Sequence, residues 1–291
     1  MKKLLGLSVA LFAILLSACS KQPASQDAAK DAKATNELEK IRLVSTGPDT
    51  DIWKYIAALP ETKAAGINLE VNNLNDYVVL NTAVANGEMD VNAFQSFNYL
   101  AAYNASNKAK VYPIATTYLE PMGIYTNTIK SVDAFPQGAT IAIPNDTANE
   151  ARALSLLQAA GLIKLKDGFD LGKGTVNDIV DNPKKLQLKP IQMTTAVRVK
   201  KDVDAIVLGN TLALEGGLNV LKDSIFRESA DKSTKLYVNL LGVGEAHKND
   251  PKYTKLGELY HLPKVQKYIN DQFAGTKVAV NKPVSEFSDT H

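Results

Sequence analysis

The chain has 291 residues, of which 45% are hydrophobic, and its 33 Lys and Arg residues nearly balance its 31 Asp and Glu residues. This length is sufficient for a buried core in one large domain or in two lobes. A formal net charge of +2 provides no basic field of the kind that binds nucleic acid. The single cysteine, Cys19, excludes a disulfide within the chain.

The amino-terminal run MKKLLGLSVALFAILLSAC has the pattern of an export signal. Lys2 and Lys3 precede the apolar residues 4–16, a run too short for a comfortable membrane span. The four residues LSAC that end at Cys19 resemble the lipobox of bacterial lipoproteins, which implies cleavage after residue 18 and acyl chains, such as palmitate, on Cys19. Several acyl chains on one cysteine would anchor the protein firmly. A buried cysteine in a signal anchor is the alternative.

The segment that follows predicts a tether. Residues 19–38 are polar, rich in Ala, Lys and Asp, and without an apolar period, so we expect a lipidated flexible segment. Residues 1–18 are then the signal peptide, and the mature protein is a soluble body held beside a membrane of the cell envelope. In Gram-negative lipoproteins the residue after the cysteine helps to select the membrane, and Ser20 resembles the outer-membrane signal. The inner membrane, with the protein facing the periplasm, is the alternative location.

The first part of the body alternates between strand and helix patterns. In chain order these are the strand KIRLVST, the helix DTDIWKYIAALPETKAAG broken at Pro60, the strand INLEVNNL, the helix DYVVLNTAVANG that stops at Gly87, the strand MDVNAFQSF and the helix FNYLAAYNASN. This alternation predicts an α/β fold with mainly parallel strands.

The second part continues the alternation with more interruptions. A strand interrupted at Pro121 and Gly123 is followed by the strand TIAIPND and by a helix that Gly161 closes, and residues 167–191 carry many turn signals and little buried surface. The strands VDAIVLG and KLYVNLLGV and the helix VQKYINDQFAG complete the body.

This order predicts two lobes joined by crossing strands. The crossing candidates are ATTYLEPMGIYT and KLYVNLLGV, which give residues 39–126 and 240–291 to lobe one and residues 127–239 to lobe two. A small polar ligand commonly binds between two such lobes.

Arg152 is the most informative charged residue of the body. The run TANE that begins at Thr147 matches a capping box and predicts a helix start there. A cation is unfavourable near this end of a helix, whereas an anion is favoured, and the guanidinium adds a fork that matches a carboxylate. These residues leave two interpretations open, and in the first Arg152 is part of an anion site. Two asparagines flank it as neutral partners for a ligand: Asn145 and Asn149. In the alternative, Arg152 is a surface residue paired with Glu150 or Asp146.

Aromatic residues at strand–helix junctions could wall an apolar slot beside this site. They are Tyr77, Phe94, Phe97, Tyr99 and Tyr118. Ordinary core packing is the alternative, and it is the more common fate of aromatic residues. The three histidines follow no metal-ligand spacing, and the chain has no G-x-S-x-G elbow. We therefore expect no metal site, no cofactor and no catalytic residue.

A long ordered motif then relates the chain to a known family. The run YLEPMGIYTNTIKSVDAFPQGATIAIPNDTANEARALSLLQAAGLIKLKDG closely resembles the NlpA family of methionine-binding lipoproteins, the MetQ type. Further matches are NDYVVLNTAVANGEMDVNAFQSFNYL, DVDAIVLGNTLALEGGL and YVNLLGV, so the resemblance extends over residues 40–275. It implies a two-lobed periplasmic-binding-protein fold and a substrate-binding role in an ABC importer, without enzyme activity.

The resemblance also implies a ligand and its contacts. The ligand would be a free amino acid, methionine or a relative, and the partners would be the permease and ATPase subunits of the importer. Arg152 matches the family arginine that holds the α-carboxylate, and Asn149 matches a nearby asparagine. The family aromatics match Tyr77, Phe94 and Tyr99.

Two positions depart from the family pattern. Ser96 stands where the family has a histidine, and Gly209 stands where it has an asparagine, with Asn210 one residue late and Leu212 in place of a tyrosine. A buried polar group that loses its partner costs about 1–3 kcal/mol. We therefore expect an altered ligand choice. The alternatives are a binding protein for another amino acid or a short peptide, or an outer-membrane lipoprotein with a degenerate pocket and a structural or antigenic role.

Overall fold

The computed structural model describes residues 38–229 and 232–290. The expected signal peptide and nearly all of the tether, including Cys19 and Ser20, lie outside the described residues. Within the described part, no helix combines the length and the apolar character that a membrane crossing requires.

The strands and helices alternate through the body. The strands are β1 (Glu39–Ser45), β2 (Ile67–Asn73), β3 (Val91–Ser96), β4 (Val111–Thr116), β5 (Tyr118–Leu119), β6 (Met122–Thr126), β7 (Thr140–Pro144), β8 (Lys164–Leu165), β9 (Ile179–Asp181), β10 (Gln187–Ile191), β11 (Ala205–Gly209), β12 (Ser224–Arg227), β13 (Asn239–Gly244) and β14 (Val278–Ala279). The helices are α1 (Asp49–Ala58), α2 (Pro60–Ala64), α3 (Tyr77–Ala85), α4 (Phe97–Ser106), α5 (Thr147–Ala159), α6 (Ala196–Val199), α7 (Asn210–Glu215), α8 (Pro251–Tyr260) and α9 (Pro263–Gln272).

Two five-stranded sheets carry the fold. The first has the order β2-β1-β3-β13-β4, and the second has the order β10-β7-β11-β6-β12. In the first sheet only β13 runs against its neighbours, and in the second only β6 does. The prediction of an α/β fold with mainly parallel strands is therefore confirmed. The reversed strand of each sheet lies in one of the two runs that the sequence identified as crossing candidates, because the chain enters it from the other sheet.

Sheet membership refines the proposed division into lobes. The strands of the first sheet lie in residues 39–116 and 239–244, and those of the second lie in residues 122–227. The strand β6, predicted to end lobe one, pairs with β11 and β12 of the second sheet. We therefore propose that the chain crosses between lobes at residues 117–121 and again between β12 and β13.

Several elements differ from the sequence prediction. Two strands of the second sheet, β10 and β12, were not predicted, because they lie at its edges and have mostly half-exposed or exposed side chains. The helix α8 was also missed, although Asp250 caps it and Pro251 begins it. Gly123 does not interrupt a strand but lies within β6, where a Cβ atom would be 3.0 Å from side-chain atoms of Val220 and Ser224. A larger residue at this position would therefore require these neighbours to shift.

Each sheet has its own apolar core. Buried residues of β6, β7 and β11 form one core with buried residues of α5 in the second lobe, and Ile141, Val207 and Leu154 belong to it. Buried residues of β1 and β3 pack with α1 and with α8 in the first lobe, where Trp53 and Tyr260 lie 5.5 Å apart between ring centroids. Burial of apolar surface thus stabilises each lobe separately.

A buried polar cluster links the two lobes. The ammonium group of Lys277, fully buried, lies 2.9 Å from Asp49 Oδ1 and 2.6 Å from Glu120 Oε2. It also donates to the hydroxyl of Thr211 at 2.9 Å. Asp49 begins α1 beside the first sheet, Thr211 belongs to α7 beside the second, and Glu120 lies in the first crossing segment. We name these four residues the Lys277 cluster.

The charges of the Lys277 cluster are mutually dependent. Burial lowers the pKa of Lys277, but Asp49 and Glu120 raise it further than burial lowers it. Burial likewise raises the pKa of Glu120, but Lys277 and the hydrogen bonds from Asn210 and Thr211 bring it below its ordinary value. The pKa of Asp49 is raised, because burial outweighs the attraction of Lys277. Lys277 therefore stays charged between two carboxyl groups, of which Glu120 is the stronger acid.

Replacing Lys277 tests whether this cluster stabilises the protein. Lys277→Met leaves two buried carboxylates without their cation, so the free energy of unfolding should fall by about 3–5 kcal/mol. Urea denaturation followed by circular dichroism measures this change. Lys264→Met is the matched control, because Lys264 pairs with Glu61 at the surface and its loss should leave unfolding nearly unchanged. Equal destabilisation by both variants would contradict the assigned role.

Candidate functional site

A narrow cavity lies where the two sheets face each other. It has a volume of about 50 Å³. The first-lobe side of the wall consists of Tyr77, Phe94, Ser96, Tyr99 and Asn239. The second-lobe side consists of Asn149, Arg152, Met193, Gly209, Thr211 and Leu212. Glu120, from the crossing segment, completes the lining.

The topology of the sheets explains this location. The carboxyl end of β3 is Ser96, and the carboxyl end of β11 is Gly209. Ligands in α/β proteins commonly bind outside the carboxyl ends of the strands. Asn239 reaches the same place from the opposite direction, because it begins the reversed strand β13 and lies directly opposite Ser96. Residues that are distant in the sequence therefore meet at one edge.

Three of the predicted aromatics form one side of the cavity. The ring centroids of Tyr77 and Phe94 are 5.3 Å apart, and each lies 5.8 Å from that of Tyr99. Asp76 caps α3, which begins at Tyr77, and Ser96 caps α4, whose first turn presents Tyr99. Burial raises the pKa of both tyrosines, so their hydroxyls remain neutral. The three rings make an apolar wall with two hydroxyl groups.

The two other candidate aromatics belong to the interior. Phe97 stacks on Phe287, with centroids 4.8 Å apart, within the core of the first lobe. Tyr118 donates to Asp49, and its ring lies 3.8 Å from the ammonium of Lys277. Core packing, which the sequence analysis kept as the alternative, describes these two residues.

Arg152 lies in the second turn of α5 and reaches the cavity with 7% of its surface exposed. Its Nε and Nη2 donate to Glu228 Oε1 at 2.8 Å and Oε2 at 2.6 Å. A further bond joins Nη2 to the carbonyl oxygen of Glu120 at 2.9 Å, and the guanidinium carbon lies 4.2 Å from the centroid of Tyr237. The interpretation of Arg152 as a surface residue paired with Glu150 or Asp146 is therefore wrong.

The environment holds this guanidinium in its charged form. Burial lowers the pKa of Arg152, but the attraction of Glu228 and the hydrogen bonds to it raise that pKa above its ordinary value. The positive charge of Arg152, near the start of α5, is thus balanced by the carboxylate of Glu228, which lies 76 residues later in the sequence. Of the three guanidinium nitrogens, Nε and Nη2 are engaged by these bonds, and Nη1 forms none of them.

The two asparagines predicted beside Arg152 have different surroundings. Asn149 lines the cavity, and its Nδ2 donates to Asp146 Oδ1 at 2.9 Å. Asn145 is exposed and lines a neighbouring surface depression. The helix α5 begins at Thr147 as predicted, but its cap is Asp146, which accepts from the backbone N–H of Asn149 at 3.0 Å. The true cap therefore lies one residue before the predicted capping box.

Of the positions that depart from the family pattern, some line the cavity and one is buried beside it. Ser96 and Gly209 line the cavity. Asn210 is fully buried beside it and donates to Glu120 Oε2 and to the hydroxyl of Thr276, both at 3.0 Å. Gly209 has φ −66° and ψ 151°, which other residues adopt, and an added Cβ would meet only Met193 Cε at 3.8 Å. The glycine thus leaves open space and satisfies no backbone requirement.

Five lining residues were not among the predicted site residues. They are Glu120, Met193, Thr211, Leu212 and Asn239. Leu212 was named only as a departure from the family pattern. Asn239 and Glu120 carried a signal, because each is a polar residue within a predicted crossing strand. No sequence signal marked Met193 and Thr211 as site residues, because they reach the cavity only through the packing of α7 and of the turn before α6.

Comparisons with known proteins agree with this architecture. The sequence profile of the NlpA lipoprotein family matches residues 43–281. Outer membrane lipoprotein 1 of Mannheimia haemolytica is 34% identical over 276 residues, which cover 93% of this chain and 97% of that protein. The methionine-binding lipoprotein MetQ of Bacillus subtilis is 32% identical over 290 residues, which cover 98% of this chain and all of that protein.

A solved structure shows the same fold. A nutrient-binding protein from Burkholderia cenocepacia, solved with methionine bound, superposes with a TM-score of 0.77 at 38% identity, over 82% of this chain and 99% of that one. The two-lobed fold and the resemblance that the motifs indicated are both confirmed. With a family profile that matches most of its length, this chain belongs to the NlpA lipoprotein family.

Proposed function

We propose that this chain is a lipid-anchored solute-binding protein of an ABC importer and that it binds methionine or a related amino acid. The observation that carries the proposal is the immobilised arginine, Arg152, facing an aromatic wall across a cavity between two lobes. A relative named as a methionine-binding lipoprotein and a similar structure with methionine bound support the ligand class.

The lining provides a partner for each part of an amino acid. Nη1 of Arg152 donates to the α-carboxylate. The α-ammonium is bound by oxygen atoms of the lining, for which the side chains of Glu120, Asn149 and Asn239 are the candidates. The side chain of the ligand lies against Tyr77, Phe94 and Tyr99, where a thioether also gains from contact with aromatic rings. The site therefore distinguishes a zwitterion with an apolar side chain.

Transport follows from movement between the lobes. Because the lining residues come from both lobes, ligand contacts are complete only when the lobes are closed, and closure presents a changed surface to the permease. Hydrolysis of ATP by separate subunits then drives import. In this role the protein binds and delivers its ligand without altering it, so we propose no catalytic activity.

The lipid anchor at Cys19 places this body at a membrane. Ser20 favours the outer membrane, and a role in import favours the inner membrane with the body in the periplasm. A second candidate function is that of a structural or antigenic lipoprotein of the outer membrane with a degenerate pocket, and two relatives named outer membrane lipoproteins support that location. In that case the family histidine and asparagine have been replaced by Ser96 and Gly209 because the protein no longer binds the family ligand. Binding of a different amino acid or of a short peptide is the intermediate case, and mass spectrometry of the ligand that co-purifies with the native protein distinguishes the three.

Replacing Arg152 tests the proposed carboxylate contact. Arg152→Ala should weaken binding of the cognate amino acid by about 2–5 kcal/mol, because a buried charged hydrogen bond is lost. Isothermal titration calorimetry with L-methionine measures the change, at a temperature where thermal unfolding shows both proteins folded. Arg227→Ala is the matched control, since Arg227 is exposed and does not line the cavity. Unchanged affinity in Arg152→Ala would rule out the contact.

The two family departures give a second prediction. The double variant Ser96→His/Gly209→Asn should bind L-methionine about tenfold or more tightly, because each regained hydrogen bond contributes roughly 0.5–1.5 kcal/mol. The backbone at Gly209 accepts asparagine, whereas the loss of the Ser96 cap of α4 should lower stability by about 0.5–2 kcal/mol.

Calorimetry of this double variant and of both single variants uses L-methionine, D-methionine and a panel of other amino acids. The single variants separate the two positions, and thermal unfolding measures the loss of the helix cap. If the unmodified protein already binds methionine as tightly as the double variant does, the idea of an altered ligand choice is wrong.

The lipid anchor is tested in cells. Metabolic labelling with a clickable palmitate analogue should mark the full-length protein and should leave Cys19→Ser unmarked, because the chain has no other cysteine. Separation of inner and outer membranes by density then locates the labelled protein. Equal labelling of the two proteins would show that Cys19 is not the lipid attachment site.

A further inference from the structure

The positive charge of Arg152, which faces the cavity, is already balanced by the carboxylate of Glu228. Glu228 forms a two-point ion pair with it, and the side chains of Arg152 and Glu228 are only 8% and 9% exposed. A buried pair of this kind behaves towards a third group as a neutral unit with a strong local dipole. An incoming carboxylate thus meets hydrogen-bond donors but little net attraction.

The hydrogen bonds leave one direction of approach to the guanidinium. An arginine has five N–H groups, one on Nε and two on each Nη. Glu228 and the carbonyl oxygen of Glu120 accept from the Nε–H group and from both Nη2 groups. The two N–H groups of Nη1 form none of these bonds. A ligand carboxylate therefore meets Arg152 end-on through Nη1, because the fork of Nη1 and Nη2 is already in use.

Glu228 cannot move aside to make room for a ligand without breaking other bonds. Its Oε2 accepts from the backbone N–H of Met122 at 2.7 Å, and its own backbone N–H donates to the carbonyl of Met122 at 3.0 Å. These bonds attach Glu228 to β6, which lies between β11 and β12 in the second sheet. The carboxylate therefore remains beside Arg152 when a ligand enters.

The second cation near the cavity is compensated in the same way. Lys277 is bound by both Asp49 and Glu120, and Glu120 itself lines the cavity. Within residues 38–229 and 232–290, each cation at or directly behind the cavity wall thus has a carboxylate partner. A zwitterion adds no net charge to this arrangement, whereas an anion adds an uncompensated negative charge.

We propose that Glu228 determines the charge class of the ligand: it fixes Arg152 for a single end-on carboxylate contact and prevents the binding of ligands with a net negative charge. Anionic amino acids and carboxylates that lack an α-ammonium group are excluded. The proposal rests on the proposed function, since it concerns the same site, and it specifies which amino acids that site accepts.

The first experiment removes the charge of Glu228 and keeps its shape. Glu228→Gln retains one acceptor for Arg152 and leaves the guanidinium positive. Calorimetry compares L-methionine with 4-(methylthio)butanoate, its analogue without the ammonium group. The ratio of the two dissociation constants should shift towards the anion by at least about tenfold in Glu228→Gln. Glu61→Gln, which removes a carboxylate from a surface pair, should leave the ratio unchanged.

The second experiment uses the unmodified protein, so it does not depend on the folding of a variant. The anion 4-(methylthio)butanoate and the cation 3-(methylthio)propylamine each lack one charged group of methionine. The cation should bind at least as tightly as the anion, because Glu228 and Glu120 already balance the positive charges of Arg152 and Lys277. Tighter binding of the anion would overturn the proposal.

The outcomes separate this proposal from the proposed function. If the unmodified protein binds L-methionine but Glu228→Gln leaves the ratio unchanged, the role of Glu228 is wrong and the binding function stands. If the unmodified protein binds no amino acid of the panel, the proposed function fails and the role of Glu228 fails with it.

Discussion

The fold depends on one buried ion, the ammonium group of Lys277. It contacts Asp49 of the first lobe, Thr211 of the second and Glu120 of the segment that crosses between them. Apolar burial stabilises each lobe by itself, but it does not fix how the lobes meet. Hydrogen bonds to a buried charge are directional and are costly to break, so the Lys277 cluster sets the register of the two lobes at the base of the cavity.

The reversed strands connect this cluster to the site. β6 and β13 each enter a sheet from the other lobe, and each brings polar groups to the edge where β3 and β11 end. The segment before β6 provides Glu120, which belongs to both the cluster and the cavity wall, and β13 provides Asn239. A change in the lobe contact therefore moves groups of the site directly. Closure around a ligand and the integrity of the buried cluster depend on the same short segment.

The sequence predicted the parts of this structure that depend on local pattern. The alternation of strands and helices, the two crossing runs and the aromatic group of Tyr77, Phe94 and Tyr99 follow from periodicity, from helix starts and from the long family motif. Edge strands such as β10 were missed because half-exposed strands lack an apolar pattern. The partner of Arg152 could not be predicted, since Glu228 is 76 residues away and only the pairing of β12 with β6 brings it near.

The pairing of Arg152 with Glu228 changes how the departures from the family pattern are understood. An arginine with unbalanced charge would hold carboxylates of many kinds, and selectivity would depend on the rest of the wall. Here the charge is balanced before the ligand arrives, so each neutral hydrogen bond of the wall contributes a larger share of the affinity. Ser96 and Gly209 stand on opposite sides of the cavity, where a longer polar side chain would reach the ligand. If the proposed function holds, a compensated arginine and a shortened wall make ligand choice depend on the aromatic rings and on the carboxylates that surround the site.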